Sequence, residues 1–149
     1  MRSYSLAGFC IVTSTLLAGC GGTETPAAQV RSVVGRYYNA LESGDGTAAC
    51  SELTADAREA VVRPLRLFTE KPRHSITCAE VFTFYGKAAA SELRETKLGA
   101  VKIDGDSATI AVSVPGETAR EAPLEKTAAG WRISKLIVRT ARPRTPIGG

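Results

Sequence analysis

The 149-residue sequence has little of what catalytic sites are usually built from. It contains one histidine, His74, within the segment PRHS, which is typical of a surface loop. As a general base His74 would need an orienting carboxylate and a pocket. A glycine-rich phosphate loop, a Gly-x-Ser-x-Gly turn and a His-Glu-x-x-His helix are all missing. These absences make an enzyme less expected without excluding one, and no catalytic residue, metal site or cofactor is predicted.

The part of the chain expected to fold has no excess of either charge. The sequence has 19 lysine and arginine residues against 15 acidic residues, a net charge of +4. Four of the arginines lie in the terminal segments, so residues 20–138 contain fifteen residues of each sign. Domains that bind nucleic acid usually present a basic stripe. No nucleic-acid partner is therefore predicted.

No apolar run is long enough to cross a membrane, although a shorter run begins the chain. Arg2 precedes residues 6–19, which are uncharged and mostly apolar. A membrane-spanning helix needs about 20 such residues for a bilayer core of about 30 Å. A basic start followed by a shorter apolar segment and small residues is typical of a signal peptide, here residues 1–19.

The end of this segment, Leu17-Ala18-Gly19-Cys20, resembles the bacterial lipoprotein box. The resemblance implies cleavage before Cys20 and a diacylglyceryl group on its thiol, with a further acyl chain such as palmitate on its amine. Two or more acyl chains give durable anchoring. We therefore expect the chain to be held in the lipid bilayer, on the extracytoplasmic face of the cell membrane, through Cys20 and a tether over residues 20–27. The alternatives are a secreted protein with an incidental Cys20 and an uncleaved anchor.

The remaining cysteines predict one disulfide. Cys10 lies in the predicted signal peptide and Cys20 would be lipidated, which leaves Cys50 and Cys78. Export into an oxidising compartment favours a bond between them. Two free buried thiols, or one reactive cysteine, are the alternatives.

The folded region begins with a strongly predicted helix. Thr25 and Pro26 suit the N-cap and the first helical position, and Gly44 suits the C-terminal stop. Between them one apolar stripe recurs at three- and four-residue steps, at Val30, Val33, Val34, Tyr37, Tyr38 and Leu41.

Two further helices are predicted after this one. A short helical turn contains Cys50, a second helix is capped by Thr54 and ends near Pro64, and residues 65–75 are irregular. A third helix covers the segment ITCAEVFTFYGKAA, which begins at Ile76.

The second half of the chain changes to strand patterns. Residues 104–106 (DGD) are a turn signal between two strands, and Ala108, Ile110, Val112 and Val114 alternate with smaller or polar residues. A second hairpin turns at Gly130 and places Trp131 and Ile133 on one face. Leu136 and Val138 have the opposite parity, which predicts a bulge or a switch of face near Ser134 and Lys135. Helices followed by antiparallel strands indicate an α+β fold, and residues 139–149 are predicted to be a disordered basic tail.

The order of these motifs resembles a known family. The segments LESGD, ACSELTADAR and GWRISKL, together with a later cysteine, are similar to exported lipoproteins of actinobacterial type. Those proteins have a nuclear transport factor 2-like (NTF2-like, cystatin-like cone) domain, here residues 28–138. The resemblance implies N-terminal helices packed into a curved antiparallel sheet, with a cavity at the mouth of the cone.

The aromatic residues are candidates for lining such a cavity, although the same helical spacing is also typical of an ordinary core. The candidates are Tyr37, Tyr38, Phe82, Tyr85 and Trp131, with Phe84 beside them. We therefore expect a non-catalytic binding or interaction module for an unknown protein or a small hydrophobic ligand. The alternative is a cone-fold enzyme of isomerase, dehydratase or cyclase type, which would need an acid–base pair in the cavity. A third hypothesis is a structural module that docks through an apolar sheet face.

Overall fold

A computed structural model describes residues 24–66, 75–115 and 118–136. The described ranges form helices α1 (Pro26–Ser43), α2 (Gly46–Ser51), α3 (Ala55–Arg66) and α4 (Cys78–Leu93), followed by strands β1 (Lys97–Asp104), β2 (Ser107–Ser113), β3 (Arg120–Thr127) and β4 (Gly130–Ile133). The predicted signal peptide, Cys20, His74, Val138 and the tail 139–149 lie outside the described residues. Within those ranges, no helix combines the length and apolar character that crossing a membrane requires.

The first helix has the predicted ends. The Thr25 hydroxyl accepts a hydrogen bond from the Ala28 amide at 3.2 Å, and Pro26 occupies the first turn. Gly44 ends the helix with φ +73°, a left-handed conformation that glycine adopts without a Cβ clash. The predicted stripe is buried at five positions, while Tyr38 is half-buried. The five buried residues are Val30, Val33, Val34, Tyr37 and Leu41.

The second helix of the prediction is longer than expected. Thr54 caps α3 as predicted, since its hydroxyl accepts from the Ala57 amide at 3.2 Å. The described helix α3 runs to Arg66, two residues beyond Pro64, so Pro64 lies inside it near the predicted end. Proline leaves the carbonyl of Ala60 without its usual donor within the helix, and α3 extends only two residues beyond Pro64.

A disulfide joins α2 to the first residue of α4. The Cα atoms of Cys50 and Cys78 lie 6.2 Å apart, and the bond closes a separation of 28 residues. The next helical turn is ordered by a capping box: the Thr77 hydroxyl accepts from the Glu80 amide, and the Glu80 carboxylate accepts from the Thr77 amide at 2.8 Å. The predicted disulfide between Cys50 and Cys78 is therefore confirmed, and this bond holds the start of α4 against α2.

The sheet is an open antiparallel meander in the order β1-β2-β3-β4. The predicted hairpin turn is present, since Asp104 pairs with Ser107 across it. Ala108, Ile110 and Val112 point to the buried face as predicted, together with Ala122 and Leu124 of β3 and Trp131 and Ile133 of β4. The helices pack against this face through α1, while α4 packs on α1 and α2. The predicted α+β fold class, with helices packed on an antiparallel sheet, is therefore confirmed.

The irregularity in the sheet lies in β1 and not after β4. The pairing of β1 with β2 shifts between Leu98 and Val101, whereas β4 has ended before Ser134. The shift lets Leu98 and Val101 both turn towards the core although they are three residues apart. Arg31 of α1 holds the shifted segment, because its guanidinium donates to the carbonyl oxygens of Leu98 at 2.9 Å and Gly99 at 2.8 Å.

Candidate functional site

An apolar cavity lies between α1, α3 and α4, and it is also bordered by Leu136, three residues after the end of β4. Its volume is about 380 Å³, within the range of about 300–1,000 Å³ that is usual for small-molecule sites. Two other depressions of similar size, one beside α3 and the start of α4 and one on the sheet, are lined by several charged and polar side chains. The lining of the helical cavity (the pocket, below) is aromatic and aliphatic: Tyr37, Tyr38, Leu41, Ala60, Val61, Pro64, Val81, Phe82, Tyr85, Leu93 and Leu136.

The floor of the pocket is buried and its rim is accessible. Tyr37 is 9% exposed and Phe82 is 6% exposed, and their rings meet edge to face with centroids 5.7 Å apart. Tyr38 packs against the other side of Tyr37 with the same geometry at 5.3 Å. Edge-to-face pairs add about 0.5–1.5 kcal/mol beyond area burial. Val61 and Tyr85 are half-buried at the rim, where an incoming molecule would meet them.

The polar groups of the pocket are phenols. Burial raises the pKa of Tyr37 above its ordinary value, and the nearby phenols of Tyr38 and Tyr85 raise it further. The Tyr37 phenol therefore stays protonated at neutral pH and remains able to donate a hydrogen bond. The three hydroxyl groups give one pocket both donors and acceptors, without a formal charge.

Four of the five predicted cavity residues line this one pocket: Tyr37, Tyr38, Phe82 and Tyr85. Trp131 does not, because the alternation of β4 turns it into the core, where it is 3% exposed. Phe84 also lies outside the lining and is 78% exposed, since it projects from the opposite side of α4.

Sequence reasoning missed the wall that α3 contributes. Ala60, Val61 and Pro64 line the pocket, and the buried Ala57 lies one turn earlier on the same helix. These residues recur at positions i, i+3, i+4 and i+7, which is the spacing of one helix face. This spacing was the sequence signal for an apolar face on α3, and it was weak because most of the side chains are small.

The space between α1 and the sheet is closely filled. The cavity there measures about 20 Å³ and is lined by Val34, Tyr37, Ile133 and their neighbours. Glu52 is the buried carboxylate of the described residues. Its two oxygens accept from Arg36 Nε at 2.7 Å and Nη2 at 3.0 Å, and this hydrogen bond raises the pKa of Arg36. Glu52 therefore joins α1 to the segment before α3 and is not among the pocket residues.

An acid–base pair is consequently not assembled in the pocket by the residues that the structure describes. The described lining contains tyrosines but neither a carboxylate nor an imidazole. Asp104 and Asp106 flank the first hairpin turn, and the described ranges contain no group of three or more His, Cys, Asp or Glu that could hold a metal ion.

The outer face of the sheet is polar. Thr109 pairs with Pro123 and Ala111 pairs with Glu121, and Lys102 forms an ion pair with Glu121 at 2.9 Å across the strands. The large apolar side chains that the described structure leaves exposed are Phe84 and Ile103, and they are on separate elements. A docking face needs a contiguous apolar patch of several hundred Å², which this face does not offer in the described ranges.

Similarity of this chain to known proteins is found among solved structures and not among sequence families. No protein-family model matches the chain, and no curated protein matches it. A chain from Streptomyces avermitilis, described as a proposed dehydratase of the NTF2-like family, is 15% identical with a TM-score of 0.42. The similarity covers 76% of the present chain and 97% of that chain. That chain is of the family that the sequence resembles, but at this identity and TM-score no activity, ligand or residue role is transferred from it.

Proposed function

We propose that this protein is a lipoprotein, acylated at Cys20 and held on the extracytoplasmic face of the cell membrane, whose pocket binds a small hydrophobic molecule. The observation that carries the binding function is the pocket itself: about 380 Å³ of space with an aromatic and aliphatic lining. The attachment rests on the lipoprotein box at residues 17–20 and on the signal-like segment before it. A membrane anchor would keep such a binding site close to apolar molecules dissolved in the bilayer.

The form of the pocket favours a small molecule over a protein partner. A protein interface of standard size buries about 800 Å² on each partner, with a flat or gently curved apolar centre. The pocket is a concavity between three helices, and its deepest residues, Leu41 and Leu93, are 2% and 5% exposed. A small molecule that enters the concavity can contact side chains this deep, whereas the surface of a protein partner would remain outside.

Filling the pocket is expected to abolish binding. Ala60 is exposed at the rim and lines the pocket, so that Ala60→Trp places an indole in the ligand's space at little cost to the core. We expect the exported Cys20→Ser protein, purified without detergent, to yield a stoichiometric apolar molecule on organic extraction and mass analysis. The same protein with Ala60→Trp should yield at most one tenth of that amount.

The matched control is Ala27→Trp. Ala27 is an exposed alanine of α1 that does not line the pocket, and this variant should retain the ligand in full. Circular dichroism of all three proteins verifies the fold. Absence of any bound molecule from the parent protein, combined with no binding of the neutral dye Nile red, would overturn the proposed binding function.

Replacing Cys20 tests the membrane attachment. We expect Cys20→Ser to remove metabolic labelling with palmitate completely and to release the protein from the membrane fraction, because the attachment atom is lost. Cys10→Ser is the control, since Cys10 lies within the predicted signal peptide, and it should leave labelling unchanged. Persistent labelling of the Cys20→Ser protein would disprove the anchor.

A further inference from the structure

We propose that the ligand of the pocket is an uncharged amphiphile with an oxygen acceptor, a hydroxyl or carbonyl group, at one end of an apolar body. This inference rests on the proposed function, because it names the chemical class that the same pocket would take. It follows from where hydrogen-bonding groups stand in the lining and from the charges that the lining does not contain.

The hydrogen-bonding groups are gathered at the α1–α4 side of the pocket. Tyr37 and Tyr38 are consecutive on α1 with ring centroids 5.3 Å apart, and Tyr85 of α4 lines the same pocket. The opposite wall is formed by Ala60, Val61 and Pro64 of α3, which have no polar side-chain atom. A bound molecule therefore meets hydroxyl groups on one side and hydrocarbon on the other.

The lining disfavours charged ligands of either sign. Among the described residues that line the pocket there is no lysine, arginine, aspartate or glutamate. A carboxylate or an ammonium group placed there would lose its hydration without gaining an opposite charge, and unpaired burial of a charge is costly. A neutral oxygen loses far less hydration and recovers a hydrogen bond from a tyrosine hydroxyl.

The volume limits the apolar body. About 380 Å³ is at the lower end of the range for small-molecule sites, which suits a single short chain or a compact ring system. This description excludes a lipid with two long acyl chains from lying wholly inside the pocket.

The test compares ligands with the same ten-carbon chain and different head groups. Nile red is displaced from the detergent-free Cys20→Ser protein by 1-decanol, decanoate and decyltrimethylammonium at neutral pH. We expect 1-decanol to bind at least tenfold more tightly than either ion. Tyr85→Phe should weaken the binding of 1-decanol about five- to tenfold, the factor for one lost hydrogen bond.

The outcomes separate this inference from the proposed function. If Nile red binds and is lost in Ala60→Trp, but decanoate or the ammonium compound competes as well as 1-decanol, the pocket is a binding site and the inference is wrong. An unchanged affinity for 1-decanol in Tyr85→Phe and in Tyr38→Phe would likewise overturn it. If Nile red does not bind at all, the proposed function itself fails.

Discussion

Gly86→Ala is expected to lower the free energy of unfolding by about 3 kcal/mol, at the upper end of the usual cost of overpacking. Gly86 lies on α4 where that helix crosses α1. A Cβ atom at this position would overlap the carbonyl oxygen of Leu41 and would lie 3.2 Å from the Cα atom of Gly44. Both neighbours are backbone atoms and cannot rotate away. The two helices would have to separate, and Leu41 and Phe82 would lose contacts in the core.

Thermal denaturation followed by circular dichroism measures this effect, and we expect a fall in Tm of about 10 °C or more. The matched control is Gly35→Ala in α1. There the nearest atom to a new Cβ is Leu98 Cδ1 at 4.0 Å, an ordinary contact. Alanine is favoured over glycine inside a helix by about 0.5–1 kcal/mol, so this variant should be slightly more stable than the parent. Equal Tm values for Gly86→Ala and Gly35→Ala would show that α1 and α4 do not pack this closely around Gly86.

Cys50→Ala is expected to cost about 3–4 kcal/mol of stability under oxidising conditions, from the chain entropy that a loop of this length restores to the unfolded state. The bond connects α2 with the first residue of α4. The fold should persist, because most of the buried side chains belong to α1, α4 and the sheet. Chemical denaturation measures the free energy of unfolding, and far-ultraviolet circular dichroism verifies the helix content.

The control for Cys50→Ala is a substitution of the other cysteine of the disulfide, Cys78. Cys78→Ala should cost nearly as much as Cys50→Ala, and the double variant should cost little more than either, because each change removes the same cross-link. The double variant also has no free thiol at these positions. Additive losses, or a parent protein whose stability does not change on reduction, would show that the bond does not stabilise the fold.

The helices and the hairpins were predictable because their signals are local. Thr25, Pro26 and Gly44 mark the ends of α1 through the backbone groups that they satisfy or omit, and no distant residue is needed for that. Alternation along β2 likewise identifies its buried face. The end of α3 was predicted only to within two residues, because proline disfavours a helix without fixing its last residue.

The pocket was only partly predictable. The helical spacing of Phe82 and Tyr85 predicts that both lie on one face of α4. The sequence does not show which aromatic side chains border a cavity and which are packed in the core. Trp131 shows the difficulty: it is as aromatic as the others, yet β4 turns it into the closely packed core. The wall from α3 depends on how that helix packs against α4, which is a relation between residues far apart in the chain.

The sequence by itself predicted the neutral charge of the folded region, the order of helices and strands, and the pairing of Cys50 with Cys78, while the lipoprotein-like start stays a prediction. Each of these follows from composition or from neighbours within a few residues. Only the tertiary structure decided that α1 fills the space against the sheet, that Glu52 is bound to Arg36, and that the pocket opens among the helices. Cavities and ion pairs are set by packing between distant segments, and the spacing of residues along one segment does not encode them.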